Sequence, residues 1–303
     1  MRKETILITE ADGPIGLATV RCILSIPHHN TRVVCGIMDP ESREARELNQ
    51  LGIPCVDIQP KDKERLAQTF EGVNSLFIVP STEDEKIGHE RAYIEAAKQS
   101  NVRFVLLLSV ILAEVRKDIL GRQFYQLEQY IQQSSLNYCI LRAGVYQQLL
   151  LLFKNSITMD NCLPMPTGEG RYAPVNKTDL AKAAAHILVR PGSHFGKTYN
   201  ITGPDCLTTS EIVQRMSTRL HKKIQFRDEH PETAREHMGS MLLHQSEAEA
   251  IKEELLLVRD GKLNFVSPNF KEITGEEATS LDRFFQEHSS DLTRLDQAVT
   301  VEE

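Results

Sequence analysis

Residues 5–16 read Thr-Ile-Leu-Ile-Thr-Glu-Ala-Asp-Gly-Pro-Ile-Gly, which is a short apolar run followed by a turn and by the start of an amphipathic segment. The run 5–9 predicts a β-strand that is buried on both faces. Pro14 suits the first turn of a helix, where the missing N–H group has no partner to lose. A strand, a glycine-containing turn and a helix in this order are the opening unit of a parallel α/β sheet.

The same alternation continues through the first half of the chain. Further strands are predicted at 32–37, 54–57, 75–79, 102–108 and 138–141, with helices at 14–25, 40–51, 61–70, 83–100 and 122–134. Six parallel strands with right-handed helical crossovers make a doubly wound, Rossmann-type sheet. The segment 197–201 predicts a seventh strand.

The alternation loosens after residue 150. The sequence therefore predicts a Rossmann-type dinucleotide-binding-like domain over 1–150 and a smaller α+β domain over 151–303, which covers the cleft and ends in a frayed polar tail. Segment 163–170 contains two prolines and two glycines and predicts a loop rather than a strand. A short strand is expected at 224–226, and a helix at 208–221 that begins with a threonine cap.

Charge and composition exclude several classes of function. The 303 residues include 35 Lys and Arg against 42 Asp and Glu, a net charge of −7, which offers no footprint for a nucleic-acid backbone. No apolar run reaches the roughly 20 residues that cross a bilayer, and no secretory signal is predicted. The six scattered cysteines lack a C-x-x-C pair, which indicates buried thiols in a reducing, cytoplasmic location.

The turn after the first strand has an unusual composition. Gly13 and Gly16 are spaced as the last two glycines of a G-x-x-G-x-x-G phosphate loop, but Glu10 occupies the first position. A carboxylate about 4 Å from a phosphate charge costs about 1 kcal/mol in water and about 4 kcal/mol at an effective dielectric of 20. We therefore hypothesise that Glu10 and Asp12 fill the anion site from within. The alternative is that Glu10 faces solvent and a cofactor still binds.

From about Thr5 to Leu292 the chain resembles the NmrA-like family of atypical short-chain dehydrogenase/reductase proteins. The resemblance is carried by the loop above and by Gly72–Pro80, Glu128–Ile131, Tyr138–Gly144, Val175–Ala181 and Thr274–Glu276. It implies a nicotinamide-binding Rossmann domain with a smaller carboxyl-terminal domain over the cleft. If a dinucleotide binds, the matching positions are Thr9, Gly13, Pro14, Ile15, Gly16, Met38, Asp39, Pro80 and Ser81.

Two of these positions bear on the choice of cofactor. Family members commonly place an arginine that reads the 2′-phosphate of NADP where this chain has Met38. Asp39 would repel that phosphate, although it could accept a ribose hydroxyl of NAD. NADP is therefore disfavoured. The alternative for Asp39-Pro40 is a helix cap with proline at the first helical position.

The catalytic positions implied by the resemblance are also altered. Family reductases often carry a lysine four residues before the glutamate that matches Glu128, and this chain has Phe124 there. Tyr125 has Gln129 rather than lysine four residues later, so nothing obvious lowers its pKa from about 10. Ser109 matches a frequent family serine that could orient a ligand carbonyl. Ser109 and Tyr125 are the candidate catalytic residues.

Two other groups of residues, a histidine series and an apolar block, are weaker candidates for a functional site. His230, His237 and His244 recur every seven residues, but Pro231 and Gly239 interrupt a helix and no carboxylate or cysteine completes a metal set, so no metal is predicted. The apolar block 146–153 is either core, a wall for an apolar ligand or a surface for a partner.

The sequence therefore predicts a ligand-binding or regulatory protein with a degenerate nicotinamide site and no conventional hydride transfer. Its partner would be a small apolar ligand or another protein, and its cofactor none or NAD(P). Two alternatives stay open. One is an NAD(P)H-dependent oxidoreductase acting on a quinone or related carbonyl. The other is a cofactor-independent isomerase or cyclase that uses Ser109 and Tyr125.

Overall fold

The computed structural model describes residues 3–27, 30–39, 41–61, 63–80, 87–240, 242 and 245–293. Within these residues, seven strands form one parallel sheet: β1 Glu4–Ile8, β2 Thr31–Ile37, β3 Cys55–Asp57, β4 Ser75–Ile78, β5 Phe104–Val110, β6 Tyr138–Ala143 and β9 Lys197–Ile201. Their order in the sheet is β3-β2-β1-β4-β5-β6-β9. In this order β1 is third and the direction of winding reverses between β1 and β4, as in a doubly wound Rossmann-like sheet.

Seven α-helices of the described residues belong to the same compact unit as this sheet. They are α1 Pro14–Ser25, α2 Arg43–Gln50, α3 Lys63–Thr69, α4 Ile87–Gln99, α5 Ile119–Gln132, α7 Lys177–Val189 and α11 Asn269–Thr274. Helices α3, α4 and α5 bury their apolar side chains in one core on one face of the sheet, while α1 packs against α7. The central strands are buried on both faces, which explains their continuous apolar sequences.

The chain divides into two compact units. The first contains this sheet and comprises Met1–Gly144, Lys177–Thr202 and Ser267–Ala278, and the second comprises Val145–Asn176, Gly203–Val266 and Thr279–Glu303. The second unit holds the strands β7 Cys162–Met165, β8 Arg171–Tyr172, β10 Leu207–Thr208 and β11 Gln225–Asp228. Its helices are α6 Lys154–Met159, α8 Thr209–Leu220, α9 Pro231–Gly239, α10 Gln245–Arg259, α12 Leu281–Glu287 and α13 Ser289–Thr293.

The predicted fold class, a doubly wound parallel α/β sheet, is confirmed. The prediction of a loop throughout 163–170 is wrong in part, because 162–165 form β7 and pair in parallel with β11. Pro164 is tolerated there because β7 has a neighbour on one side only among the described residues, so a missing N–H group need not break a ladder. The predicted threonine cap at the start of α8 is confirmed, with reciprocal bonds between Thr208 and Glu211.

Among the described residues, none of the helices is both long enough and apolar enough to cross a bilayer.

Candidate functional site

The loop between β1 and α1 is a tight turn at the carboxyl edge of the sheet. Glu10 has φ +48°, in the left-handed region that favours glycine. Its carbonyl accepts from the Gly13 N–H group at 3.0 Å, and the Ala11 N–H group donates to the Gly36 carbonyl of β2 at 3.0 Å. The side chain of Glu10 has therefore not prevented the turn that the family's first glycine makes. The loop forms this turn at the cost of a strained residue.

Gly16 is required by this turn. A Cβ atom at Gly16 would lie 2.1 Å from the Glu10 carbonyl oxygen, closer than side-chain carbons approach backbone. The first helical hydrogen bond of α1 runs from Leu17 to Gly13 at 2.9 Å. The Ile15 and Gly16 amides therefore precede it in the first turn, where N–H groups lack intrahelical partners. Amides at the positive end of a twelve-residue helix suit a pyrophosphate.

Thr9 joins this loop to the neighbouring strand. Its hydroxyl donates to the Val79 carbonyl at 3.2 Å and accepts from the Val79 N–H group at 2.9 Å, and its own N–H group donates to Phe77 at 3.0 Å. The side chain is fully buried. Thr9 therefore positions backbone, and it aligns the loop with Pro80 at the end of β4.

Asp12 lies on the other side of the loop, next to the start of α2. Its carboxylate accepts from the Ser42 hydroxyl at 3.4 Å. Burial raises the pKa of Asp12, and the charge of Asp39 adds to that rise, while hydrogen bonds from the backbone and from Ser42 oppose it. The part of our hypothesis that placed Asp12 in the anion site of α1 is wrong, because its carboxylate is bonded at the β2–α2 turn instead. An acid in this place faces the end of β2 where a Rossmann fold holds the adenosine ribose.

The raised pKa of Asp12 predicts that Asp12→Asn stabilises the protein at neutral pH. The folded state binds a proton at Asp12 more readily than the unfolded chain does, so ionisation of Asp12 costs stability above its folded pKa. We expect a higher free energy of unfolding for the variant at pH 7, with the advantage shrinking as the pH falls toward 4. Urea unfolding at several pH values measures it, and Asp39→Asn, which removes only the smallest contribution to the raised pKa, should stabilise the protein less. A variant less stable than the parent at pH 7 would contradict the prediction.

Met38 and Asp39 directly follow β2, and Asp39 is not a helix cap. Ser42 is the N-cap of α2, and its hydroxyl accepts from the Ala45 N–H group at 3.0 Å. The Asp39 carboxylate accepts instead from the Glu41 N–H group at 3.0 Å and is exposed. The prediction of a cap at Asp39 is therefore wrong, because the helix starts three residues further on. Pro40 lies outside the described residues.

Ser109 belongs to a buried polar cluster that sequence reasoning missed. Its hydroxyl donates to Glu128 at 2.5 Å, and Arg142 bonds the same carboxylate through Nε at 2.8 Å and Nη2 at 2.5 Å. Ser109 and Arg142 are register partners near the carboxyl ends of β5 and β6. Both Ser109 and Glu128 are 1% exposed. The Ser109 hydroxyl therefore donates its proton to Glu128 and is not available to orient a ligand carbonyl.

Tyr125 and Phe124 lie on α5 and take no part in the hydrogen bonds of this cluster. Tyr125 is 38% exposed on α5, one turn before Glu128. Phe124, which takes the place of the family's lysine, shares a small pocket with Pro80, Ile87 and Leu127. Arg142 interacts electrostatically with Tyr125, but its guanidinium is already paired with Glu128 and with Glu114 at 3.3 Å. Position 129, four residues after Tyr125, is glutamine, so no lysine there assists proton transfer.

The remaining candidates add no metal chemistry. No group of three or more His, Cys, Asp or Glu residues within the described ranges could hold a metal ion. His230 caps α9 and His237 stacks on Phe153 with ring centroids 5.7 Å apart. Ser81 and His244 lie outside the described residues. In the block 146–153, Leu149, Leu150 and Phe153 are buried as core.

The chain resembles known proteins in both sequence and fold. The profile of the NmrA-like family matches residues 2–298. A protein named NAD(P)H azoreductase, from Xenophilus azovorans, is 25% identical over 286 residues, which is 94% of this chain and 98% of the relative. The crystal structure of an NADPH-dependent quinone oxidoreductase from Escherichia coli, complexed with NADPH, superposes with a TM-score of 0.83 at 23% identity, covering 95% of this chain and 99% of that one. The structure of NmrA, described as a negative transcriptional regulator, gives a TM-score of 0.71 at 16% identity and covers 96% and 91% of the two chains.

Proposed function

The chain belongs to the NmrA-like family, and from that premise we propose that it binds a nicotinamide dinucleotide and reduces quinone-like acceptors. The observation that carries this proposal is the intact turn at 9–16. It keeps its closing bond from Gly13 to Glu10 and its close packing at Gly16 although glutamate replaces the first glycine. Strained backbone of this kind is often found at functional sites, although four other non-glycine residues of the described chain also have a positive φ.

The described residues fit such a dinucleotide. Amides of Ile15 and Gly16 would hold the pyrophosphate, and Asp39 would accept from a ribose hydroxyl near Met38. The bound group would supply a hydride at the carboxyl edge of the sheet. Because Asp12 and Asp39 flank the ribose end, we propose that NAD(H) binds more tightly than NADP(H), whose 2′-phosphate would meet both carboxylates.

Because Tyr125 has Gln129 rather than lysine four residues later, we expect the protein to reduce acceptors that need no proton donor from the site. Reducing an ordinary ketone produces an alkoxide, which needs a proton donor in the site. Reducing a quinone produces a phenolate-type anion, and phenols ionise near pH 10, so water can protonate it without help from the protein. With Ser109 committed to Glu128 and Tyr125 lacking a lysine, quinone-like acceptors suit this chain better than ketones. A cofactor-independent isomerase or cyclase is less well supported, because Ser109 is buried and bonded to Glu128.

A regulatory role is the second candidate, and the acids of the site favour it. Glu10, Asp12 and Asp39 add three carboxylates to the surroundings of a ligand that carries phosphates. A protein that binds the dinucleotide weakly and without turnover could report its concentration to a partner. This role requires binding without reduction of any acceptor.

Calorimetric titration of the full chain with NAD, NADH, NADP and NADPH, followed by assays with a neutral quinone, tests both proposals. We expect micromolar binding of NAD(H), weaker binding of NADP(H), and oxidation of the reduced dinucleotide only when quinone is present. Binding without turnover would support the regulatory role against the reductase. If none of the four binds, both proposals fail.

Glu10→Gly is expected to raise both stability and dinucleotide affinity. Removing a left-handed non-glycine residue relieves about 1 kcal/mol of strain, and removing the carboxylate removes about 1 kcal/mol of repulsion, or roughly a fivefold gain in affinity. Asn101→Gly is the matched control, because Asn101 also has a positive φ of +55° but precedes β5 at the opposite edge of the sheet. The control should leave affinity unchanged. Equal or weaker dinucleotide binding by Glu10→Gly would show that its carboxylate does not oppose the ligand.

A further inference from the structure

Two of the six cysteines lie opposite each other on neighbouring strands. Cys35 in β2 and Cys55 in β3 are register partners in parallel pairing, so their side chains leave the same face of the sheet. Neighbouring strands are about 4.8 Å apart, which lies within the Cα–Cα range of about 4.4–6.8 Å spanned by disulfides. Cys35 is fully buried and Cys55 is half-buried. Solvent therefore reaches this pair from the side of Cys55.

The two thiols interact with each other and with Asp12. Burial raises the pKa of Cys35 to about 12, and the charges of Cys55 and Asp12 and a hydrogen bond to Cys55 contribute to the rise. Burial likewise raises the pKa of Cys55, with Asp12 adding to it. The Cys55 thiol donates to the Ile53 carbonyl at 3.6 Å. Both thiols are therefore protonated at neutral pH, and the reduced pair is the resting state.

The strand that carries Cys55 is a short edge strand. β3 has three residues and lies at the end of the sheet, where β2 is its partner among the described strands. A disulfide needs its Cβ atoms about 3.8 Å apart, roughly 1 Å closer than neighbouring strands hold them. A short edge strand can supply a shift of that size at less cost than a central one.

We propose that Cys35 and Cys55 form a reversible disulfide by exchange with a small-molecule disulfide such as oxidised glutathione. The thiolate form of Cys55 attacks one sulfur of that disulfide, which forms a mixed disulfide and releases the first small thiol. Cys35 then attacks the Cys55 sulfur, which releases the second. Two cysteine protons and two electrons thus pass to the two released thiols, and no other oxidant is required.

The cross-link would act on the loop at 9–16 through Gly36. Cys35 precedes Gly36, whose carbonyl accepts from the Ala11 N–H group at 3.0 Å. Gly36 has no space in which to shift freely, because a Cβ atom there would lie 2.9 Å from Ile58 and 3.1 Å from the Ile8 carbonyl. The link draws β2 and β3 together, and whatever part of this shift β2 takes is passed to the loop through Gly36, so we expect oxidation to weaken dinucleotide binding. This consequence rests on the proposed function, whereas the cross-link itself does not.

Mass spectrometry of the full chain, equilibrated with mixtures of oxidised and reduced glutathione, tests the cross-link. We expect the loss of two hydrogen masses, a linked peptide pair containing Cys35 and Cys55, and complete reversal by dithiothreitol. Cys139→Ser is the matched control, because Cys139 is fully buried on β6 and burial also raises its pKa to about 12. The control should still form the link and Cys55→Ser should not. Absence of the linked peptides at a tenfold excess of oxidised glutathione would overturn the proposal.

Calorimetric titration of NADH into the oxidised and reduced protein tests the coupling. We expect the dissociation constant to rise at least fivefold on oxidation, and to stay the same in Cys55→Ser after identical treatment. A cross-linked protein with unchanged affinity would overturn the coupling. If neither form binds a dinucleotide, the proposed function fails, while the peptide masses still decide whether the disulfide forms.

Discussion

Gly16→Ala is expected to abolish dinucleotide binding and to cost the protein about 3 kcal/mol of stability. Its Cβ atom would lie 2.1 Å from the Glu10 carbonyl oxygen and 2.7 Å from the Ala11 Cα atom. Both obstacles are backbone, so no side-chain rotation relieves them. Either α1 moves away from the sheet, or the turn opens and loses its bond from Gly13 to Glu10 at 3.0 Å. Both movements displace the amides that would hold a pyrophosphate.

Gly88→Ala is the matched control for this experiment. Gly88 lies in the first turn of α4, and a Cβ atom added there would have open space. Its replacement should stabilise the protein by up to about 1 kcal/mol, because alanine favours a helix more than glycine does. Urea unfolding and titration with NADH measure both variants. A Gly16→Ala protein with parental stability and affinity would show that the turn is not the binding site.

The fold could be predicted because each local pattern agreed with its tertiary environment. Strands β4 and β5 are buried on both faces, and their sequences are accordingly apolar except for Ser75 and Ser109. Strand β7 was missed because Pro164 and the residues after it favour a turn. Its pairing with β11, some sixty residues later, is a contact that local patterns do not report.

The sequence predicts the loop at 9–16 but not the buried cluster of Ser109, Glu128 and Arg142. The spacing of Gly13 and Gly16 identifies a phosphate loop, but it does not show which way the carboxylates point. Asp12 is bonded to Ser42, thirty residues away, because the turn after β2 folds back on the turn after β1. Glu128 meets Arg142 for a similar reason, since their contact depends on the register of β5 and β6 and on the placement of α5. A glutamate, a serine and an arginine at these spacings carry no local signal.

Glu128→Gln is the second variant with a large expected effect, because it removes one partner of a buried ion pair. The Glu128 side chain is 1% exposed and accepts three hydrogen bonds, one from Ser109 and two from Arg142. Its hydrogen bonds to Arg142 are the main cause of the raised pKa of that guanidinium. Glutamine keeps the shape but leaves the arginine charge without its main counter-ion, which typically costs about 3–5 kcal/mol.

Glu114→Gln separates this effect from a general loss of negative charge near Arg142. The Glu114 carboxylate also pairs with Arg142, at 3.3 Å, but its side chain is 38% exposed, so solvent screens it and its loss should cost at most about 1 kcal/mol. Pairing Glu128→Gln with Arg142→Met should recover much of the lost stability, because the double variant buries no unpaired charge. Urea unfolding of the three variants gives the comparison. If Glu128→Gln cost no more than Glu114→Gln, water would be compensating the arginine, and the cluster would be open to ligands rather than a fixed support beneath the carboxyl ends of β5 and β6.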